Sequence, residues 1–313
     1  MKKPLLCVVG PTASGKTALS LRLAEVYGGE IVSADSMQIY RHMDVGTAKP
    51  TLAERRGIPH HMLDVAQPGE AYSVARYAAE AAACVDDILA RGRLPIAAGG
   101  TGLYINALIE GTAFAGNERN EALREKLEEE YRGQGPAAMF ARLRAVDPES
   151  AARLHENDKK RVLRALEVYE QTGLTIGEHN RATKPARARY DAVMIGICPA
   201  ERELLYRRID ARVDEMLANG LEVEARTLME QGLLTGTAAQ AIGYKELFPY
   251  LNGEGTLAEA AERIRRETRR YAKRQLTWFR HDARVQWIYY EENTPLEEIL
   301  QTSRKYIENS GII

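Results

Sequence analysis

The sequence predicts an α/β fold in which a parallel sheet core carries an all-helical insertion. Short apolar runs alternate with helical patterns, which is typical of a parallel sheet covered by helices on both faces. A glycine-rich, phosphate-binding type of loop joins the first run to the first helical pattern. Between Gly116 and about Arg187 the strand signal is missing and only helical periodicity remains. These three observations together predict the architecture.

Six apolar runs have the length and residue types of buried strands. They comprise residues 5–9, 30–34, 62–65, 94–98, 192–198 and 285–289. Residues 1–116 and 188–313 are therefore predicted to form the core, including its C-terminal helices, and residues 117–187 the insertion.

Apolar residues three and four positions apart predict helices in the insertion. Leu123, Leu127 and Tyr131 share one such face. Turn and charge signals flank the segment at residues 111–120 and 172–191. Because the second flank is long, basic and contains proline, we predict a mobile connection there.

Length, composition and charge predict a soluble globular protein. The chain has 313 residues, of which 45% are hydrophobic and 28% charged, enough for a sizeable core in two domains. Its net charge of −1 gives no overall attraction to polyanions, so a nucleic-acid surface requires local clusters of Lys and Arg. The sequence shows neither a leader pattern nor an apolar run of bilayer length, which predicts a cytoplasmic location.

The cysteines and histidines argue against a zinc site. Cys7, Cys84 and Cys198 form no CxxC pair and are predicted to be buried, reduced thiols. His60 and His61 are adjacent, so their side chains point in different directions on either a helix or a strand. We therefore predict no zinc.

The stretch "VVGPTASGKT" predicts a phosphate site at the end of the first strand. Gly10, Gly15, Lys16 and Thr17 fill the pattern GxxxxGK[ST] between an apolar strand and a helix, which predicts a P-loop NTPase-like core. Backbone N–H groups of such a loop converge on phosphate oxygens, the lysine adds a charge, and the Thr17 hydroxyl can bind Mg²⁺. The predicted phosphate-binding residues are Gly10, Pro11, Thr12, Ala13, Ser14, Gly15, Lys16 and Thr17.

Two other loops follow predicted strands at the same edge of the sheet. "EIVSAD" ends at Asp35, the position from which an ATPase acid reaches its metal, although a helix N-cap is an alternative interpretation. "LPIAA" is followed by "GGTGLY", whose glycines admit a ligand close to the backbone and whose Thr101 offers a hydroxyl. A plain strand-to-helix turn would also explain these glycines.

Seven segments in this order resemble the tRNA dimethylallyltransferase (tRNA isopentenyltransferase) family. They are "GPTASGKT", "ADSMQIYRHMDVGTAKPT", "GIPHHMLD", "GGTGLY", "NDKKRVLRALEVYEQTG", "AIGYKE" and "RRYAKRQLTWFR", and they span nearly the whole chain. The resemblance implies transfer of a dimethylallyl group from dimethylallyl diphosphate to N6 of adenosine-37, next to the tRNA anticodon, with Mg²⁺ as cofactor. The sequence "YIENSGII" lacks the cysteines of the zinc finger that some eukaryotic relatives append, which predicts the bacterial type.

The resemblance also assigns roles to individual residues. Asp35 would be the base that takes the N6 proton, Thr101 would contact the adenine or this base, and Lys16 with Arg212 would meet the diphosphate. Extrusion of the target adenosine from the loop is implied as well. The implied tRNA-binding residues are Asp35, Ser36, Met37, Gln38, Thr101, Leu123, Lys160, Arg161, Arg164, Gln240, Gly243, Tyr244, Lys245, Arg270, Lys273 and Arg274.

A basic segment with interleaved aromatic residues lies between residues 263 and 284. Tyr271, Trp278 and Phe279 offer rings on which unstacked bases can rest, whereas a solvated, partly core-packed helix is the alternative interpretation. Two other functions also fit the residues: a small-molecule or nucleoside kinase using ATP on the same loop, and a nucleic-acid binding module without activity. The intact Lys16 and Thr17 disfavour the binding module. We expect a monomer without a membrane partner.

Overall fold

The computed structural model describes residues 3–111, 120–183, 185 and 187–312. The chain divides into two compact units. One, here called the core unit, consists of Met1–Gly111 and Ala188–Ile313, and the other, the insertion unit, is Thr112–Arg187. Within the described ranges no helix is both long and apolar enough to cross a membrane.

A parallel sheet organises the core unit, and its described residues contribute six strands. The strands are β1 (Pro4–Val9), β2 (Glu30–Ser33), β3 (His60–His61), β4 (Pro95–Gly99), β5 (Asp191–Pro199) and β6 (Val285–Tyr290). Their order is β3-β2-β4-β1-β5-β6, and every neighbouring pair is parallel. The carboxyl ends of β1, β2 and β4 therefore lie side by side, which is where such sheets bind ligands. The predicted parallel α/β fold is confirmed.

Helices cover both faces of this sheet, because apolar side chains along β1 point alternately to one face and to the other. Leu5, Cys7 and Val9 join the hydrophobic core on one face, and Leu6 with Val8 joins that on the other. The helices of the core unit are α1 (Lys16–Tyr27), α2 (Val74–Ala90), α3 (Gly102–Glu110), α8 (Arg202–Ala218), α9 (Leu221–Glu230), α10 (Phe248–Leu251), α11 (Leu257–Arg280) and α12 (Leu296–Ser310), and those of the insertion unit are α4 (Glu121–Val146), α5 (Pro148–Ala151), α6 (Lys159–Thr172) and α7 (Ile176–Thr183).

The third strand lies two residues earlier than predicted and is shorter. Met62 and Asp64 adopt positive φ angles of 62° and 58°, so the chain turns where residues 62–65 were predicted to extend. The turn is fixed by tertiary contacts, because the Asp64 carboxylate accepts a 2.6 Å hydrogen bond from the buried ammonium of Lys49. The prediction of a strand at residues 62–65 is wrong for this reason.

The insertion unit has its own hydrophobic core in its described residues. Leu127, Leu143, Val162 and Leu166 are fully buried there. The segment predicted as a mobile connection contains α7, whose Ile176 N–H donates to Asp147 Oδ2 at 3.2 Å. The predicted connection therefore includes a helix, and its predicted mobility stays a prediction. Residues 112–119 of the other flank lie outside the described residues, as do Lys184 and Ala186.

Candidate active site

Loops at the carboxyl edge of the sheet enclose a cavity of about 280 Å³ within the core unit. Three segments that follow β1, β2 and β4 form one part of its wall, and α8, α11 and the segment before α10 form the rest. The polar lining residues are Thr12, Lys16, Thr17, Asp35, Ser36, Gln38, Thr47, Arg212, Gln240, Lys245, Thr268, Tyr271, Arg274 and Gln275. Residues far apart in sequence therefore line one cavity.

The loop between β1 and α1 wraps as a phosphate-binding loop does. Gly10 has a φ of +146°, and a Cβ there would lie 2.3 Å from the carbonyl oxygen of Ile197, so only glycine fits. Gly15, at φ 86°, starts α1 without a side-chain cap, which leaves the first-turn N–H groups for an anion. Lys16 Nζ donates to the Pro11 carbonyl at 2.6 Å and lines the cavity. This geometry suits a phosphate group.

The side chains of Lys16 and Arg212, both of which line the cavity, are poorly solvated. Burial lowers the pKa of Lys16 to about 7, the nearby Arg212 guanidinium acts in the same direction, and the Asp35 carboxylate opposes both. Burial likewise lowers the pKa of Arg212, again against the influence of Asp35. Because positive charge is disfavoured here without a counter-ion, an anionic group in the cavity would relieve this cost.

Asp35 is half-buried and held in one orientation. Its Oδ1 accepts hydrogen bonds from the N–H groups of Met37 and Gln38, at 2.8 and 3.4 Å. This is the bonding of an Asx turn, because residues 36–39 form a turn and not a helix, so the helix N-cap interpretation of Asp35 is wrong. The same carboxylate lines the cavity. Across the described ranges Oδ2 forms no hydrogen bond, so one oxygen stays available to a substrate.

The glycine loop after β4 packs directly on the segment that contains Asp35. A Cβ on Gly99 would lie 2.2 Å from the Ala34 carbonyl oxygen, so the glycine is required for packing. Thr101 Oγ1 accepts a hydrogen bond from the Ser36 N–H at 3.1 Å. Gly99 and Gly100 line the cavity, whereas Thr101 is not among the lining residues and supports the segment from behind. Its predicted contact with adenine stays a prediction.

Gln275 connects the phosphate loop after β1 with the glycine loop after β4, and sequence reasoning missed it. Its side chain is 6% exposed; its Oε1 accepts from the Thr12 N–H at 2.8 Å and its Nε2 donates to the Gly100 carbonyl at 3.0 Å. A Cβ on Gly100 would come within 2.0 Å of this nitrogen. The sequence did contain one indication of this role, because Gln275 is a polar residue on the buried face of α11, between Ala272 and Phe279.

A second anchor, also missed, fixes the segment after β2. The carboxylate of Glu224 on α9 accepts hydrogen bonds from the N–H groups of Asp44, Val45 and Gly46 at 2.8–3.0 Å. It also accepts one from the Tyr244 hydroxyl at 2.6 Å. Tyr244 is fully buried, so its side chain holds the segments together and, in this structure, has no surface for the predicted tRNA contact.

The predicted tRNA-binding residues fall into several environments. Ser36, Met37, Gln38, Gln240, Gly243, Lys245 and Arg274 line the cavity, and Arg270 and Lys273 are exposed on α11. Of the three rings, Phe279 is 1% exposed and belongs to the core, so the expectation that it offers a stacking surface is wrong. Tyr271 lines the cavity and Trp278 is exposed.

The insertion unit presents its own basic face. Lys160 and Arg161 are exposed on α6, and Arg164, on the same helix face, also pairs with the buried carboxylate of Glu167 at 3.2 Å. Leu123 packs partly against the core of this unit. The ion pair with Glu167 gives Arg164 a structural role in addition to any contact with a polyanion.

Comparisons with known proteins identify similar chains. The family model of IPP transferases matches residues 38–282, and that of isopentenyl transferases matches residues 4–68. The tRNA dimethylallyltransferase of Geobacillus thermodenitrificans is 50% identical over 288 residues, which cover 92% of this chain and 91% of that protein.

Solved structures with the same fold cover nearly the whole chain. The tRNA isopentenylpyrophosphate transferase of Bacillus halodurans is 42% identical, with a TM-score of 0.73 and coverage of 99% of this chain and 98% of its own. A eukaryotic dimethylallyltransferase captured acting on tRNA is 30% identical, with a TM-score of 0.83 and coverage of 98% and 80%.

Proposed function

Since this chain belongs to the tRNA dimethylallyltransferase family and therefore transfers a dimethylallyl group to tRNA, we propose that it takes this group from dimethylallyl diphosphate and attaches it to N6 of adenosine-37. One observation carries the proposal: the phosphate loop, two cations and an oriented carboxylate line one cavity. Family membership confirms the predicted P-loop NTPase-like fold and the predicted transferase activity. Family membership therefore favours this activity over the two alternative interpretations of the sequence, a kinase and a nucleic-acid binding module without activity.

The leaving group explains why a phosphate loop serves a prenyl transfer. When the allylic C–O bond breaks, pyrophosphate carries the developing negative charge. Loop N–H groups, Lys16 and Arg212 would stabilise this charge by the same electrostatics that serve ATP in other proteins. Because both side chains are poorly solvated in the cavity, their interaction with the leaving group is stronger than it would be in water.

The donor groups in the cavity fit a magnesium ion bound mainly through the diphosphate. The Thr17 hydroxyl and the Asp35 carboxylate are both lining groups, and Thr17 would hold the ion. In the part of the chain that the structure describes, no three His, Cys, Asp or Glu side chains form a metal cage. Mg²⁺ commonly uses one or two protein ligands with substrate phosphates and water, and it would supply positive charge to the leaving diphosphate.

The acceptor nitrogen needs a base, and we assign this role to Asp35. The N6 lone pair is delocalised into the purine ring, so removal of its proton helps in the transition state. The free Oδ2 of Asp35 would take this proton while Oδ1 keeps its backbone hydrogen bonds. The adenosine would have to leave the base stack to enter the cavity, where the Gln240 side chain offers hydrogen-bonding groups.

A transfer assay tests the proposed function. The protein is incubated with Mg²⁺, labelled dimethylallyl diphosphate and unmodified tRNA, and the nucleosides are then analysed. Label is expected on N6 of adenosine-37, and a tRNA with guanosine at position 37 serves as the negative control. Label at another nucleoside, or transfer that needs ATP, would refute the proposed donor and acceptor.

Replacement of Gln275 by methionine is expected to lower turnover by about ten- to a hundredfold. Methionine has a similar shape but leaves the Thr12 N–H and the Gly100 carbonyl without their partner, so both loops can shift. Steady-state kinetics with varied dimethylallyl diphosphate measure the effect. The matched control is Thr277→Val on the exposed side of α11, whose hydroxyl bonds only its own helix. A lower melting temperature with unchanged turnover in Gln275→Met would show a purely structural role.

Neutralising Lys160 and Arg161 together is expected to weaken tRNA binding and flatten its salt dependence. Each lost phosphate contact should reduce the slope of log K against log salt by somewhat under about one unit. Arg164 is left in place because its loss would remove a partner of the buried Glu167 carboxylate, which Arg124 also contacts at 3.4 Å. A salt titration compares Lys160→Gln/Arg161→Gln with a control, Lys126→Gln/Arg132→Gln, which removes two exposed charges from α4. Equal slopes in all proteins would mean that the α6 face does not bind tRNA.

A further inference from the structure

One face of α11 continues past the cavity. Ile264, Thr268, Tyr271 and Gln275 line the cavity at spacings of three and four residues. Trp278 is the next residue in this series, and residues so spaced share one helix face. The indole therefore lies one turn farther along the face that forms the cavity wall.

The Trp278 ring is held against the glycine loop while remaining open to solvent. A Cβ on Gly102 would lie 2.1 Å from Trp278 Cδ1, so the ring lies directly on this backbone. Gly102 follows Thr101 and the wall residue Gly100 in sequence. Trp278 is nevertheless 45% exposed, as is the neighbouring Leu103 at 48%. A large apolar surface is thus left uncovered beside the cavity.

Cations on the same helix as this ring fit a nucleotide partner. Arg270, Lys273 and Arg274 are exposed on the same helix, and Arg274 lines the cavity. Proteins that bind single-stranded nucleic acid combine an aromatic ring, on which a base stacks, with cations that attract the phosphates.

We propose that Trp278 stacks on an unpaired tRNA base next to the adenosine that enters the cavity. This inference rests on the proposed function, which places that adenosine in the cavity. Gly102 contributes by having no side chain, since any Cβ would push the indole off the loop. The ring then holds the flanking nucleotide while the reacting one is inside.

Tryptophan fluorescence tests this contact directly. The sequence has two tryptophans, and in a Trp287→Phe variant Trp278 is the single reporter. Titration with unmodified tRNA is expected to quench its emission and to protect it from acrylamide, whereas pyrophosphate alone should leave both unchanged. The difference between wild type and Trp278→Phe gives the same signal without altering Trp287.

Kinetics of Trp278 variants provide the second measurement. Trp278→Leu is expected to raise KM for tRNA about tenfold and to leave KM for dimethylallyl diphosphate unchanged, and Trp278→Phe should restore most of the loss. The matched control is Tyr289→Leu, because Tyr289 is an equally exposed ring on β6 that stacks on Trp287. It should change neither constant.

The outcomes separate this inference from the proposed function. Quenching by tRNA without any dimethylallyl transfer would support stacking and refute the proposed chemistry. Tight tRNA binding, measured by filter retention, without a change in Trp278 emission would refute stacking even if transfer is normal. A Trp278→Leu variant with reduced kcat and unchanged KM for tRNA would also overturn it.

Discussion

Replacement of Asp35 by asparagine is expected to lower turnover by about two orders of magnitude or more while tRNA binding persists. The amide keeps the Oδ1 acceptor for the Met37 N–H, so the loop should hold its shape, but it cannot take the N6 proton. Single-turnover transfer at saturating concentrations of both substrates measures the chemical step. Filter binding measures tRNA affinity separately.

The control for this variant is Asp87→Asn on α2. Asp87 carries an exposed carboxylate that pairs with Arg91, so its replacement alters charge without touching the cavity. It should leave the chemical step within about twofold of wild type, as other surface substitutions do. Normal turnover in Asp35→Asn would remove this residue from the role of base, and loss of tRNA affinity would make it a binding residue.

The second large effect is expected from Lys16→Ala, which should weaken pyrophosphate binding by about ten- to a hundredfold. The variant removes a charge-assisted contact in a cavity where water screens poorly. Calorimetry with pyrophosphate and Mg²⁺ provides the measurement, and Lys3→Ala, an exposed lysine at the start of the sheet, is the control. Unchanged affinity would exclude Lys16 from the diphosphate site. Strong competition by ATP would contradict the proposed donor.

The lowered pKa of Lys16 adds a proton signature to the same experiment. In the free protein the amine is charged below about pH 7 and neutral above it. A bound diphosphate favours the charged form, so binding above pH 7 is coupled to the uptake of a proton. The contribution of Lys16 to the affinity for diphosphate therefore declines as the pH rises. At pH 8 the wild type should take up nearly one proton more than Lys16→Ala, as calorimetry in buffers of different ionisation enthalpy would reveal. Equal uptake would contradict the lowered pKa.

Local sequence features predicted the parts of the site that depend on local structure. The pattern around Lys16 specifies a strand, a tight loop and a helix start within ten residues, so no distant contact is needed to recognise it. Asp35 and Gly99 were found because parallel strands bring their carboxyl ends to one edge.

The other features of the fold and the site depend on contacts between residues that are far apart in the sequence. Thr12 and Gln275 are 263 residues apart, and nothing near either position indicates the other. The two-residue strand β3 ends where Lys49 binds Asp64, an ion pair that periodicity cannot reveal. The side chains of Tyr271 and Phe279 were equivalent in the sequence pattern, because helix orientation decides which one enters the cavity and which one enters the core.

The carboxylate of Glu224 determines what the backbone of the segment after β2 can bind. Three successive backbone N–H groups that converge on one point form a concavity that attracts anions. Here an internal side chain already occupies it, so the concavity cannot compete with the phosphate loop for a phosphate group. The segment is also ordered when the protein folds, before any nucleic acid arrives, and the entropy of fixing it does not weaken binding. Glu224 thus acts as a built-in anion that keeps this part of the cavity wall in one shape.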